Sequence, residues 1–80
     1  MVRTEIYMKH KLIPVNSIEV LGREIRRKRN ENHLTLELAA PLCGVSVKFL
    51  QALETGKSTA QVGKCIQVAS MLGLKIYIED

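Results

Sequence analysis

The sequence is poor in aromatic residues and in cysteine, and both shortages constrain the fold. It has no Trp and one Phe among its 80 residues, so the core must be aliphatic. Cys43 and Cys65 lack C-x-x-C spacing, and each lies in an apolar helical pattern. We therefore expect two reduced, buried thiols of a cytosolic protein. A chain of this length forms one domain, whose small core a dimer would help to stabilise.

Long apolar segments and secretion signals are also missing. No hydrophobic run approaches the roughly 20 residues that a membrane-spanning helix needs. Residues 1–11 lack the apolar core of a signal peptide. The sequence therefore predicts a cytoplasmic protein without a membrane partner.

Motifs of enzyme chemistry are absent as well. The sequence contains no G-x-S-x-G, no P-loop and no paired carboxylates, and Glu37 and Glu54 fall in separate predicted helices. His10 and His33 have no second ligand at metal spacing, which favours solvent-exposed side chains over a zinc site. We therefore predict no enzyme activity, no catalytic residue, no metal or other cofactor, and no small-molecule ligand.

Residues 34–57 contain two short helical patterns separated by a tight break at Gly44. Thr35 and Ser46 can each cap a helix N-terminus, and Gly44 suits the positive φ of a sharp turn. This arrangement predicts a helix-turn-helix, whose second helix can enter the DNA major groove. The predicted apolar faces carry Leu38, Ala39 and Leu42 on the first helix and Leu50 and Leu53 on the second. The outer face of the second helix carries Val47, Lys48, Gln51 and Thr55.

A preceding helix is predicted to begin near Asn16 or Ser17 and to bury Ile18, Leu21 and Ile25. Gly22 interrupts this helix and predicts close packing against another helix. The net charge of +4 favours a polyanion or an acidic protein as partner. The basic run at the end of the helix is either a solvated face matched to the helix dipole or a phosphate-facing patch. Its members are Arg23, Arg26, Arg27, Lys28 and Arg29.

Two further features concern the later helices. Pro41 predicts either a kink or a helix of only about two turns. A last helix is predicted from about residue 60 to residue 72, capped by Ser58 or Thr59 and ended by Gly73. Its predicted apolar face comprises Val62, Cys65, Ile66, Ala69 and Leu72, flanked by a ridge of Val68 and Met71.

The two ends of the chain are predicted differently. Residues 1–13 form either a short strand at 4–8 or a basic arm, and Pro14 marks their boundary. Residues 74–79 alternate apolar and polar side chains, which predicts a strand. This strand must pair with residues 4–8 or with its own copy in a second subunit, and the second choice is preferred. Dimerisation is assigned to Val68, Met71, Leu74, Ile76 and Ile78.

The predicted fold is thus all-α, with four or five helices and a short C-terminal β-strand that pairs across a dimer. It divides into residues 1–15, an N-terminal arm or short strand; residues 16–73, a DNA-binding domain; and residues 74–80, a dimerisation strand.

These residues resemble the phage-repressor-like helix-turn-helix family of the Cro/C1, or XRE, type. The resemblance covers about residues 16–72 and rests on matches from Leu21-Gly22 through Gly44-Val45-Ser46 to Gly56-Lys57. Leu53-Glu54, Thr59-Ala60-Gln61, Leu72-Gly73-Leu74 and the closing strand are similar to the HipB subgroup. That likeness implies an antitoxin that forms a homodimer, represses its own operon and binds a HipA-type serine/threonine kinase toxin.

The resemblance also implies residue roles. Arg29 and Glu54 match a buried salt bridge between the first and third helices. The base-reading positions are Ser46, Val47, Lys48 and Gln51, and the DNA-backbone positions are Arg26, Thr35, Thr55 and Lys57.

The sequence departs from the family pattern at Leu36, where many members have a phosphate-contacting Gln, and at Pro41 and Ser58. Leu36 weakens the expected phosphate clamp. Together with the apolar Val47, it supports one alternative to the antitoxin, a protein-interaction adaptor that does not bind DNA. The other alternative is a stand-alone regulator of phage or host origin without a toxin.

Overall fold

A computed structural model of the chain describes residues 12–57 and 61–78, and every regular element in this part is helical. The all-α prediction is confirmed for this part of the chain. The helices are α1 (Ile18–Glu31), α2 (Leu36–Cys43), α3 (Val47–Glu54) and α4 (Val62–Met71). Their buried core is aliphatic, as predicted, and comprises Ile25, Ala39, Ala40, Cys43, Leu50, Leu53, Cys65, Val68, Ala69 and Leu72.

Hydroxyl side chains cap three of the helices. Ser17, Thr35 and Ser46 each accept a hydrogen bond from the backbone N–H three residues later, at 3.3, 3.1 and 3.0 Å. Of the two caps proposed for α1, Ser17 and not Asn16 is used. Each such cap contributes about 1 kcal/mol to helix stability, because it satisfies a donor that has no partner within the helix.

The ends of α2 and α3 depend on two glycines with positive φ. Gly44 ends α2 at φ +74°, and Gly56 follows α3 at φ +77°. Both conformations were predicted from their positions after apolar helical patterns. Helix α2 has eight residues, so Pro41 falls in a helix of two turns, one of its two predicted outcomes.

The predicted apolar face of α2 is partly wrong, since of its three members only Ala39 is buried. Leu38 and Leu42 are 58% and 59% exposed, whereas Ala39, Ala40 and Cys43 are buried. Small side chains on the inner face let the neighbouring helices approach closely, and this rotates the two leucines into solvent.

The predicted face of α4 is also partly wrong. Val62 and Ile66 are exposed, and Val68 is fully buried within the chain's own core. The buried side chains follow i, i+3, i+4 and i+7 spacing from Cys65, so the inner face includes Val68 and excludes Ile66. Val68 therefore cannot lie at a subunit interface as predicted. The proposed caps Ser58 and Thr59 lie outside the described residues.

The C-terminal segment does not form the predicted strand. Residues 74–78 take part in no ladder within the described part of the chain, and Ile78 is 98% exposed. A strand requires a partner for its backbone groups, and residues 12–57 and 61–73 offer none. The alternative partner, residues 4–8, lies outside the described residues, as does the predicted N-terminal arm.

Both cysteines are free and buried, as predicted. Burial raises the pKa of the Cys43 and Cys65 thiols, because it disfavours the thiolate. They are packing residues of the core.

No single helix among the described residues is long and apolar enough to cross a membrane. The α2–α3 pair reaches the required length and composition only when taken together, and it is bent by 105° at the turn.

Candidate nucleic-acid interface

The α2–α3 unit has the geometry of a helix-turn-helix. Three residues separate the helices, and the helix directions differ by 105° at this turn. Within the turn the Val45 N–H donates to the Ala40 carbonyl at 3.0 Å, and the Gly44 N–H donates to the Pro41 carbonyl at 3.1 Å. These bonds satisfy the last carbonyls of α2 and hold α3 at a fixed angle.

A buried ion pair fixes α3 against α1. Arg29 Nε lies 2.6 Å from Glu54 Oε2, and Arg29 Nη2 lies 2.8 Å from Glu54 Oε1. The third guanidinium nitrogen donates to the Leu34 carbonyl at 2.7 Å. The two side chains are 10% and 4% exposed. The hydrogen bonds to Glu54 raise the pKa of Arg29 against the opposing effect of burial.

This pair joins three parts of the chain: α1, the α1–α2 connector and α3. In the described residues no buried side-chain nitrogen or oxygen lacks a hydrogen-bond partner. The orientation of α3 is therefore held by a fully satisfied polar contact as well as by the core.

The outer face of α3 is solvent-exposed. Lys48, Gln51 and Ser46 are exposed there, whereas Val47 is half-buried and packs against the core. Ser46 accepts a capping bond through its oxygen, so its hydroxyl hydrogen can still donate. Ala52, which the sequence analysis did not single out, follows Lys48 by four residues and shares this face.

Thr55 lies at the C-terminal end of this face, and its hydroxyl group already forms hydrogen bonds within the chain. It donates to the backbone carbonyls of Gln51 and Ala52 at 3.0 and 3.1 Å. Its oxygen can accept a hydrogen bond, but donation to a phosphate requires loss of this helix-end contact.

The basic run of α1 divides into paired and unpaired members. Arg27 pairs with Glu24 at 2.9 Å and also with Glu31, and Lys28 lies 3.6 Å from Glu31. Arg29 is buried with its carboxylate partner. The solvated-face interpretation therefore describes Arg27 and Lys28.

Arg23 and Arg26 are exposed and form no ion pair within the described part of the chain. They follow Glu19 by four and seven residues, on the same side of α1. Glu19 packs against Gly56, since a Cβ built on that glycine would lie 3.2 Å from the Glu19 Cα. This side of α1 therefore borders the turn after α3, where Lys57 is exposed.

The N-terminus of α2 provides Thr35, which is exposed and caps the helix. Leu36 is half-buried and packs against the core. Only part of its side chain is therefore exposed to a partner protein, and as an apolar group it offers no hydrogen bond to a phosphate.

Comparison with known proteins decides the family. Residues 25–78, more than half of the chain, match a helix-turn-helix family model. The chain belongs to the Cro/C1-type helix-turn-helix family. A relative from Sinorhizobium fredii, an uncharacterized HTH-type transcriptional regulator named y4mF, is 41% identical over 58 residues. The match covers 72% of this chain and 76% of the relative.

Membership of the helix-turn-helix family confirms the coarser resemblance drawn from the sequence. In this family's terms, α2 and α3 are the helix-turn-helix and α3 is the recognition helix. The family is one of DNA-binding transcriptional regulators. The finer likeness to HipB-type antitoxins stays a prediction.

Proposed function

We propose that this chain is a sequence-specific transcriptional repressor that binds a palindromic operator as a homodimer. The observation that carries this proposal is the combination of a buried Arg29–Glu54 pair and an exposed outer face on α3. The pair holds the helix rigidly, and the exposed Lys48 and Gln51 project from it. Rigid presentation of polar side chains is what base readout in the major groove requires.

The proposed role of each side chain follows from the chemistry of the DNA group that it would contact. Lys48 suits guanine, Gln51 suits adenine, and Val47 can meet a thymine methyl group. Arg26 and Lys57 are cations at the edges of this surface, and Thr35 and Ser46 offer hydroxyl groups. In the proposed complex Arg26, Lys57 and Thr35 contact phosphates. Ser46, at the N-terminus of α3, lies close enough to contact bases. Two copies of α3 then lie in major grooves about one helical turn apart.

Lys48 and Lys57 give a matched pair of variants for this proposal. We expect Lys48→Ala to relax base preference at one position of each half-site, costing about 1–3 kcal/mol on the preferred base. Lys57→Ala should instead weaken all duplexes alike and reduce the magnitude of the salt slope by about one unit per protomer. Fluorescence anisotropy against a panel of single-base operator variants measures both effects.

Each variant is the control for the other, since each removes one lysine charge. If Lys48→Ala lost the same affinity for every duplex, the assignment of Lys48 to base reading would be contradicted. A changed base preference in Lys57→Ala would contradict the assignment of Lys57 to a phosphate contact.

The proposed dimer rests on the exposed apolar C-terminal segment. Ile76, Tyr77 and Ile78 are 54%, 68% and 98% exposed, and Met71 is 60% exposed. The backbone of residues 74–78 takes part in no strand within the described chain. Antiparallel pairing with a second copy would satisfy one edge of this backbone. It would also let Leu74, Ile76 and Ile78, which share one face of a strand, be buried between the two subunits.

We expect Ile76→Asp together with Ile78→Asp to convert a dimer to a monomer in analytical ultracentrifugation, because two buried charges oppose association. Leu38→Asp is the matched control, since Leu38 is 58% exposed and lies on α2. A wild-type monomer at operator-binding concentrations, or an unchanged dimer in the double variant, would contradict this interface.

We further propose that the chain is the antitoxin of a HipA-like serine/threonine kinase. Its support is the resemblance to the HipB subgroup, which begins at Phe49-Leu50 and continues through Leu72-Gly73-Leu74 into the predicted closing strand. The test is co-expression with the product of the adjacent gene: co-purification of a kinase and rescue of its growth inhibition are expected. A neighbouring gene of another kind would favour a stand-alone regulator. Failure to bind any duplex would favour the adaptor.

A further inference from the structure

Asn32 joins the ends of two helices that are far apart in the sequence. Its backbone N–H donates to the Lys28 carbonyl at 3.0 Å and completes the last turn of α1. Its side-chain Nδ2 donates to the Leu72 carbonyl at 3.2 Å, at the C-terminal end of α4. The last carbonyls of a helix have no partner within it, so this bond satisfies a group that α4 itself cannot. The ends of α1 and α4 are therefore held together by a directional contact.

The same turn of α1 also holds the recognition helix. Arg29 lies three residues before Asn32 and forms the buried pair with Glu54 of α3. Lys28 packs over the end of α4, since a Cβ built on Gly73 would lie 3.5 Å from the Lys28 Cε. One turn of α1 thus contacts both the recognition helix and the point at which the C-terminal segment leaves α4.

The start of the C-terminal segment is held against the domain. The Leu74 N–H donates to the Ala69 carbonyl at 2.9 Å, and the Leu74 side chain packs against the core. The next residues follow the outer face of α4, since residues 74–77 line one cavity together with Ile66 and Ser70. The direction of the segment is therefore set at the end of α4.

We propose that Asn32 restricts the operator half-site spacings that the dimer accepts. This inference rests on the proposed homodimer, in which the C-terminal segments of two subunits pair. In such a dimer the distance and angle between the two recognition helices depend on how each segment is oriented relative to α3. Apolar packing of α4 on the core is non-directional, whereas the hydrogen bond from Asn32 has a preferred direction. Asn32 is a positioning residue in this proposal and makes no contact with DNA itself.

The test compares the operator from the protein's own promoter with two altered duplexes, in which one base pair is inserted or deleted at the centre. One base pair rotates one half-site by about 35° relative to the other, so a dimer of fixed geometry binds the altered duplexes more weakly. The spacing ratio is the affinity for the operator divided by the affinity for an altered duplex. The wild type must break the Asn32 bond to fit an altered duplex, whereas Asn32→Asp has already lost the donor. Asn32→Asp should therefore lower the spacing ratio by roughly fivefold, the contribution of one hydrogen bond.

Asn30→Asp is the matched control. Asn30 lies in the same turn of α1 and is exposed, and its side chain has no hydrogen-bond partner among the described residues. Both variants add one negative charge near the C-terminal end of α1, so they share the same unfavourable interaction with the helix dipole. Asn32→Ala and Asn30→Ala repeat the comparison without a charge, and this pair decides if Asn32→Asp does not fold. Circular dichroism melting verifies that each variant is folded at the assay temperature.

The outcomes separate this role from a structural one and from failure of the dimer. If Asn32 only stabilises the fold, its variants bind all three duplexes more weakly and keep the wild-type spacing ratio, which would refute the proposal. An equal fall of the ratio in the Asn30 control would refute it as well. In both cases a dimeric wild type that rejects the altered duplexes leaves the proposed function intact. A wild type that is monomeric, or that binds all three duplexes equally, refutes the dimeric repressor and the role of Asn32 together.

Discussion

Replacing Glu54 with Ala is expected to destabilise the fold by about 3–5 kcal/mol, the largest effect of any single substitution considered. The reason is the charge that remains: Arg29 would stay buried after losing both of its carboxylate hydrogen bonds. A domain of this size has a total stability of about 4–12 kcal/mol, so the substitution should remove at least about a quarter of it. Urea unfolding followed by circular dichroism measures the loss, since the chain has no Trp.

Two comparisons sharpen this experiment. Arg27→Ala breaks the exposed pairs with Glu24 and Glu31, and it should cost no more than about 1 kcal/mol because solvent screens those charges. The double variant Arg29→Met with Glu54→Leu removes both buried charges and should recover most of the stability lost in Glu54→Ala. A Glu54→Ala cost as small as that of Arg27→Ala would contradict the structural role of the buried pair.

The double variant also separates stability from function. Apolar side chains can fill the site between α1 and α3 but cannot reproduce the bond from Arg29 to the Leu34 carbonyl. We therefore expect a folded protein whose recognition helix is less rigidly held. Weaker operator binding at near-normal stability would be the signature of that change.

Replacing Gly22 with Ala is expected to destabilise the fold by about 2–3 kcal/mol. A Cβ on Gly22 would overlap the Leu53 carbonyl oxygen and lie 3.1 Å from the Leu53 carbonyl carbon. Backbone atoms cannot rotate away as a side chain can, so α1 and α3 must separate. This overpacking outweighs the gain of up to about 1 kcal/mol that Ala normally brings to a helix interior.

Gly63 provides the control for this prediction. It also lies within a helix, but a Cβ built on it meets no atom within 4 Å. Gly63→Ala should therefore leave stability unchanged or raise it by about 0.5–1 kcal/mol. Thermal unfolding of the two variants side by side is the measurement. A Gly22→Ala protein as stable as Gly63→Ala would mean that α1 and α3 are not in close backbone contact.

The local chemistry of the fold could be predicted from the sequence because neighbouring residues determine it. A hydroxyl side chain before an apolar helical pattern acts as a cap, as at Thr35 and Ser46. A glycine after such a pattern takes positive φ, as at Gly44. Gly22 predicted a close contact between helices, because a glycine lowers the stability of a helix interior and close packing is the usual reason for its presence there.

The orientation of α2 and α4 could not be predicted in the same way. Leu38 and Leu42 satisfy helical periodicity as well as Ala39 and Cys43 do, and hydrophobicity favours the leucines. The structure buries the smaller side chains because close packing of helices depends on their shape, which a periodic pattern does not contain.

Contacts between residues far apart in the sequence cannot be predicted from the spacing of apolar residues alone. The Arg29–Glu54 pair joins residues 25 positions apart, and its prediction came from the family resemblance. The contact of Lys64 Nζ with the Phe49 ring, 5.6 Å from the ring centroid, joins residues 15 positions apart and was not predicted. The predicted strand at residues 74–79 depends on a partner segment, and the described part of the chain contains none.

The central claim is tested most directly by binding of the protein to a fluorescent duplex from its own promoter, compared with a scrambled duplex across a salt series. We predict tight binding to the promoter alone, with two protomers per duplex and a steep negative salt slope. Equal, weak binding to both duplexes would contradict sequence-specific repression.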